Sequence, residues 1–144
     1  MDAAFHQSIA NDFPELKVLM DAASEFLENQ AVDTRAIFRI NLTIEEIVTN
    51  IIKFGYDTQG RHNIDVEIKV GAAEVRALIS HEGYEFNPVL HERAQPPEEL
   101  LERETGGLGI YLIKKLLDNM DYRREAGRNI VEVKTPRAQP PPAT

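Results

Sequence analysis

From Ile64 the chain alternates. Ile64, Val66, Ile68 and Val70 are apolar, and Asp65, Glu67 and Lys69 between them are charged. That two-residue period predicts a half-buried strand, its polar side facing solvent. A turn over residues 71–74 and a second apolar segment from Val75 to Ser80 make a hairpin. Upstream the period changes. Leu16, Leu19, Met20, Ala23, Phe26 and Leu27 recur at three and four residues and mark one face of a helix. Asn11 or Asp12 supplies its cap, and Pro14 falls in its first turn. After a break at residues 30–33, Asp33 or Thr34 caps a second helix. Ile37, Ile40, Ile44, Ile47, Val48 and Ile51 form its apolar face to about Phe54, and Gly55 and residues 57–60 end it in a loop. Ala4 to Ala10 predicts a short first strand. Asp121 to Glu125 and Ile130 to Lys134 predict two last strands around Ala126-Gly127. Between the hairpins, Leu108, Leu112, Ile113, Leu116 and Leu117 predict a third helix.

This order of elements predicts an α+β two-layer sandwich, with helices on one face of a mostly antiparallel sheet. Residues 81–88 read as a loop around Gly83. Residues 89–105 are polar, contain Pro96-Pro97, and are long for a plain connection, which suggests a lid. One domain is expected over residues 1–135, followed by a disordered proline-rich tail over 136–144.

Composition narrows the function classes. The chain has 144 residues and a net charge of −8, so a general nucleic-acid or anionic-membrane surface is not expected. It has no cysteine, which removes disulfides, thiol catalysis and thiolate metal sites. No apolar run reaches membrane-spanning length and no signal-peptide pattern opens the chain, so the expected location is cytoplasmic. A Gly-x-x-x-x-Gly-Lys-Ser/Thr loop and a Gly-x-Ser-x-Gly elbow are both missing, which disfavours a P-loop NTPase and a serine hydrolase. His6, His62 and His91 lack metal-ligand spacing and read as surface residues.

Two stretches carry candidate chemistry. Gly106, Gly107 and Gly109 stand immediately before the third apolar helix. Glycines let a ligand approach the backbone, and the first helical turn offers free N–H groups to an anion such as phosphate. The same glycines also serve a plain helix-starting turn. In the second helix, Glu46 and Asn50 are four residues apart and share a face beside the apolar one. A carboxylate there suits a general base, and an amide oxygen suits Mg²⁺. A solvated Glu–Asn pair at the edge of a core helix has the same spacing.

Taken together, Glu46-x-x-x-Asn50, then Gly83-x-x-Phe86-Asn87-Pro88, then a lid, then Gly106-Gly107-Leu108-Gly109 before a helix resemble the Bergerat-fold (GHKL) ATPase family. Within it the chain is similar to the bacterial anti-sigma-factor serine kinases of the switch-kinase class. The resemblance implies a Bergerat fold, with Glu46 as catalytic base and Asn50 as ligand of Mg²⁺. Gly83 and Phe86 would belong to the adenine-side loop, though Phe86 also reads as a core anchor. Gly106, Gly107, Leu108 and Gly109 would cradle phosphates. Lys53, one turn after Asn50, and Arg103 and Thr105 in the lid would lie near phosphate, although Lys53 equally reads as a solvated lysine. Implied cofactors are ATP and Mg²⁺. The implied partners are an anti-sigma-factor antagonist with a STAS domain, a sigma factor, and a second copy in a homodimer. The alternative is a Bergerat-fold binding module that sequesters its partner without turnover. The chain departs from the family at two places. His81 stands where the family has an aspartate that accepts a hydrogen bond from the adenine amino group, and Glu85 fills a glycine position. His81 lacks a carboxylate's charge and reach; it also reads as a structural histidine.

Overall fold

The computed structural model describes residues 3–88 and 119–138. In chain order they form β1 (Ala3–Ala10), α1 (Phe13–Asn29), α2 (Thr34–Phe54), β2 (Asn63–Val70), β3 (Glu74–Glu82), β4 (Met120–Glu125) and β5 (Arg128–Pro136). The strands make one sheet in the order β1-β2-β3-β5-β4, with every pairing antiparallel. The fold is α+β, as expected. Each helix starts where its sequence provides a cap. Asp12 Oδ1 accepts the Glu15 amide at 2.8 Å, and Asp33 Oδ2 accepts the Ala36 amide at 3.2 Å. These bonds satisfy N–H groups that the first turn leaves without helical partners.

The alternating positions of the sheet decide its two faces. Ile64, Val66, Ile68, Val75, Ala77, Ile79, Val131 and Val133 are buried under Leu19, Ala23 and Leu27 of α1 and Ile40, Ile44, Ile47 and Ile51 of α2. Full burial of one such aliphatic side chain stabilises by about 1.5–3 kcal/mol. On the other face charged side chains run across the strands. Arg128 meets Asp65 and Glu82, and Glu132 meets Arg76, Arg123 and Lys134. The polar side of β2 was expected in solvent. Asn63 and Lys69 are exposed, but Asp65 and Glu67 are half-buried by this layer of crossed charges.

Two strands run beyond their expected ends. β3 continues through His81 and Glu82, which were read as loop, and β5 begins at Arg128. The ladder persists there through His81↔Asn129 and Glu82↔Arg128. Apolar alternation stops while backbone pairing goes on, because the inward positions at this end hold polar residues. The β4–β5 hairpin turns at Ala126 (φ 49°) and Gly127 (φ 77°). Positive φ at both central residues is the twist-compatible two-residue turn that favours glycine.

The tail reading also needs correction at its start. Pro136 closes the β5 ladder opposite Glu74, where its missing N–H is tolerated at a strand end. The Arg137 amide donates to the Ala73 carbonyl at 3.0 Å. Its guanidinium reaches the carbonyls of Gly71 and Ala31, and the Ala138 amide donates to Asp33 Oδ1 at 2.8 Å. Residues 136–138 are therefore held to the α1–α2 connection. The remainder of the expected tail, 139–144, lies outside the described residues.

Candidate active site

α2 runs along the sheet with one broad face buried. Glu46 is 8% exposed and Asn50 1% exposed, on successive turns and in phase with Ile47 and Ile51. They are not a solvated pair. A carboxylate is seldom buried so fully without a partner or a task. Lys53 is exposed at the last turn, away from the buried face. Among the described residues no cluster of three His, Asp or Glu side chains suits a metal.

The C-terminal end of α2 meets the loop after β3. The Tyr84 hydroxyl donates to the Phe54 carbonyl. Gly83, at φ +140°, lies close to the Gly55 carbonyl and the Tyr56 ring. That φ is strained for any side-chain-bearing residue, so the loop requires glycine here. Phe86 is half-buried and packs on the core, so its anchoring role is realised. Arg103, Thr105, Gly106, Gly107, Leu108 and Gly109, with the expected lid and third helix, lie outside the described residues. His91 lies outside them too.

Beneath the loop is a buried polar cluster centred on Asn129, which is 1% exposed. Its Oδ1 accepts from the Phe86 amide at 3.1 Å, from Arg124 at 3.0 Å and from the Tyr122 hydroxyl. Its Nδ2 donates to the Tyr84 carbonyl at 2.9 Å and faces His81 Nε2 at 3.2 Å. Arg124 also donates to the Gly83 carbonyl at 2.8 Å. One amide thus joins β3, the Gly83 loop, β4 and β5. Burial, then the charge of Glu85, raises the Tyr122 phenol above its usual pKa and keeps its proton in place.

His81 is 1% exposed on the inner face of β3. Burial first, then the cations Arg128 and Arg124, lower its pKa to about 4; the Gly55 carbonyl opposes them. The ring is therefore neutral near pH 7. Tyr56 stands edge-on to it at 5.4 Å, its phenol pushed up to about 12 mainly by burial. Glu82 points to the opposite face, toward Arg128. His62 was expected on the surface. It is half-buried instead, stacked on Tyr56 at 4.2 Å, with Nε2 3.1 Å from both the hydroxyl and the carbonyl of Thr58. His6 is exposed, as expected.

Asn129, Tyr122 and Arg124 escaped sequence reading. Asn129 stands in phase with Val131 and Val133, so a polar residue at an inward position was the available signal.

A family model described as histidine kinase-like ATPase domain matches residues 9–135. The chain belongs to this family. Within the histidine kinase-like ATPases, it is 25% identical over 103 residues to proteins named serine-protein kinase RsbW from Listeria monocytogenes serotype 4a (strain HCC23) and Listeria innocua serovar 6a. The match spans 69% of this chain and 66% of those relatives, just under two thirds of their length. In fold it resembles the crystal structure of the RsbU and RsbW domains of Rv1364c from Mycobacterium tuberculosis. The TM-score is 0.60 at 17% identity, covering 96% of this chain and 33% of that one. The Bergerat fold expected from the sequence agrees with this likeness. Among the described residues no helix is long and apolar enough to cross a membrane.

Proposed function

We propose that this chain is a Mg²⁺- and nucleoside-triphosphate-dependent protein-serine kinase that acts as an anti-sigma factor. Its substrate is an anti-sigma-factor antagonist of the STAS type, and it works in the cytoplasm. ATP is the nucleotide that the family implies. The observation that carries this reading is Glu46 and Asn50, buried on successive turns of the helix whose end is tied to the Gly83 loop. Membership of the family and the kinase name of the Listeria relatives support it.

In this reading the Asn50 side-chain oxygen would hold Mg²⁺, and a bound nucleotide would supply the phosphoryl group. The Glu46 carboxylate would take the proton of the partner's serine hydroxyl. The family resemblance would have Gly106, Gly107, Leu108 and Gly109 offer backbone N–H groups to the phosphates, with Lys53, Arg103 and Thr105 near them. Positioning and electrostatics do most of phosphoryl transfer, so this short set of groups is enough. A second copy and a sigma factor are further partners in this reading.

The test is phosphate transfer from nucleotide to the cognate antagonist. Glu46→Gln should keep nucleotide binding and lose transfer by on the order of a hundredfold or more. Asn50→Ala should lose Mg²⁺-dependent binding together with transfer. His81 favours a second reading, a scaffold that binds its partner without turnover, because its one acceptor nitrogen is already engaged. No transfer by the unmutated protein, with partner binding indifferent to both substitutions, would establish the scaffold.

A further inference from the structure

The sheet ends in two edge strands, β1 and β4, and only one of them is guarded. β4 is six residues long and carries Asp121, Arg123, Arg124 and Glu125. Charge on a short edge hinders pairing with another strand. β1 is eight residues long, Ala-Ala-Phe-His-Gln-Ser-Ile-Ala, with no Asp, Glu, Lys, Arg or Pro. Its register against β2 is continuous, without a bulge. Ala4, His6 and Ser8 are exposed, and among the described residues no strand pairs with the outer side of β1. A long, uncharged, regular edge is a ready template for a further strand.

The hydrogen bonds at the end of β1 set the phase of its backbone. The Asn11 amide donates to the His62 carbonyl at 3.0 Å, toward the β2 side. The Ala10 amide donates instead to Glu15 Oε1 at 3.3 Å, and the Ala10 carbonyl accepts from the Asp12 amide at 2.9 Å. Asn11 therefore turns its groups toward β2, and Ala10 turns them away. This direction alternates along an antiparallel strand. Ala3, Phe5, Gln7 and Ile9 thus bond β2, while Ala4, His6 and Ser8 direct N–H and C=O outward. At Ala10 the chain satisfies its own groups.

We infer that this edge pairs with β1 of a second copy, antiparallel about a twofold axis at His6. Only outward residues can exchange bonds, so the choice of axis is narrow. An axis at His6 sets Ala4 opposite the partner's Ser8 and His6 opposite the partner's His6, and every free group of the edge is used. An axis at Gln7 would bring Ala4 against the partner's Ala10, whose groups are already taken. An axis at Phe5 would carry Ser8 past the end of the partner's strand. The edge is thus complementary to itself, as an isologous interface requires, and its neutrality lets like meet like. The inner side fits as well. Phe5 is half-buried, 5.4 Å from Phe26 of α1 between ring centroids, and in this register it lies beside the partner's Gln7. The inference gives the second copy of the proposed function its surface, and it rests on that part of the reading alone.

The experiment follows amide exchange of the unmutated chain by NMR at low and high protein concentration, beside sedimentation velocity over the same range. A dimer is expected, and the amides of Ala4, His6 and Ser8 should slow as it forms. Those of Phe5, Gln7 and Ile9 should be slow throughout, because β2 protects them. His6→Pro removes one outward donor from each copy and none from the β1–β2 ladder, and should weaken self-association about tenfold or more. His6→Lys sets like charges opposite each other at the axis and should weaken it too. Asp121→Lys, on the other edge, should leave it unchanged. A dimer whose edge amides exchange freely, or that ignores both His6 substitutions, overturns the inference and leaves the second copy standing through another surface. A monomer at every concentration overturns the second copy as well and leaves the kinase reading to the transfer assay. Edge amides already slow in a monomer, or slowed only by adding the antagonist, give the edge to the chain's own remaining residues or to that partner, and overturn the inference.

Discussion

Ile79 and His81 stand two residues apart on β3, and Val131 and Asn129 face them on β5. All four are at most 1% exposed. Ile79 and Val131 belong to an aliphatic layer that needs volume and no particular direction. His81 and Asn129 are buried just as fully, yet every side-chain polar atom there but one has a directional partner. Equal burial therefore conceals different requirements. The aliphatic end tolerates change of shape in small steps, and the polar end tolerates almost no change of chemistry.

Unequal responses to near-isosteric substitution are the sharpest expression of this difference. Asn129→Leu keeps the volume and removes the acceptor of Phe86 N, Arg124 and Tyr122 and the donor to Tyr84 O and His81. Leaving several such groups unpaired should cost about 3–5 kcal/mol in urea denaturation at pH 7. Ile79→Val in the neighbouring layer should cost about 1 kcal/mol. Equal losses from the two would mean that the polar end is held by packing alone.

Acid should act on one end and not on the other. The folded pKa of His81 is about 4, below the ordinary 6.5, so the unfolded chain binds this proton more readily. Stability from His81 is complete above about pH 6.5, falls as the pH drops, and is gone below about pH 4. The shift corresponds to on the order of 3 kcal/mol. Carboxylates titrate in part of the same window, so the check is a difference: His81→Gln should lose less stability between pH 7 and pH 5 than the parent chain. Parallel curves would show that His81 is not buried neutral.

The smallest effect is expected one residue away, on the outer face. Arg128 is half-exposed, and its pairs with Asp65 and Glu82 lie in reach of water and salt. Arg128→Ala should cost less than about 1 kcal/mol. Because Arg128 also depresses the His81 pKa, its removal should shift the His81 transition toward higher pH. A large loss of stability with no movement of that transition would give the outer face a weight not expected of it.

The legibility of the chain in its sequence follows the same division. The aliphatic layer was readable because Ile64 to Val70 alternates and the faces of α1 and α2 repeat at three and four. The caps were narrowed to Asn11 or Asp12 and to Asp33 or Thr34 by side-chain chemistry, of which Asp12 and Asp33 serve, and the turn at Ala126-Gly127 was readable too. Glu46 and Asn50 were singled out by a four-residue spacing. Their burial was not evident, since the same spacing serves a solvated edge. The ends of β3 and β5 were missed because His81, Asn129 and Thr135 occupy inward positions without being apolar. The cluster around Asn129 was out of reach for a further reason. Its members come from two distant stretches, residues 81–86 and 122–129, and only the antiparallel register of β3 on β5 brings them together.

That register has a consequence for how the sheet is assembled. A ladder displaced by one residue would put Ile130 or Glu132 opposite Ile79 and turn the inward side chains of β5 to the other face. The His81 end opposes it too. Displacement one way would put Arg128 opposite His81, a charge beneath the Gly83 loop; displacement the other way would put Ile130 there and strand the Phe86 amide without its acceptor. Asn129 thus adds a hydrogen-bonding requirement to the register that the aliphatic layer already favours.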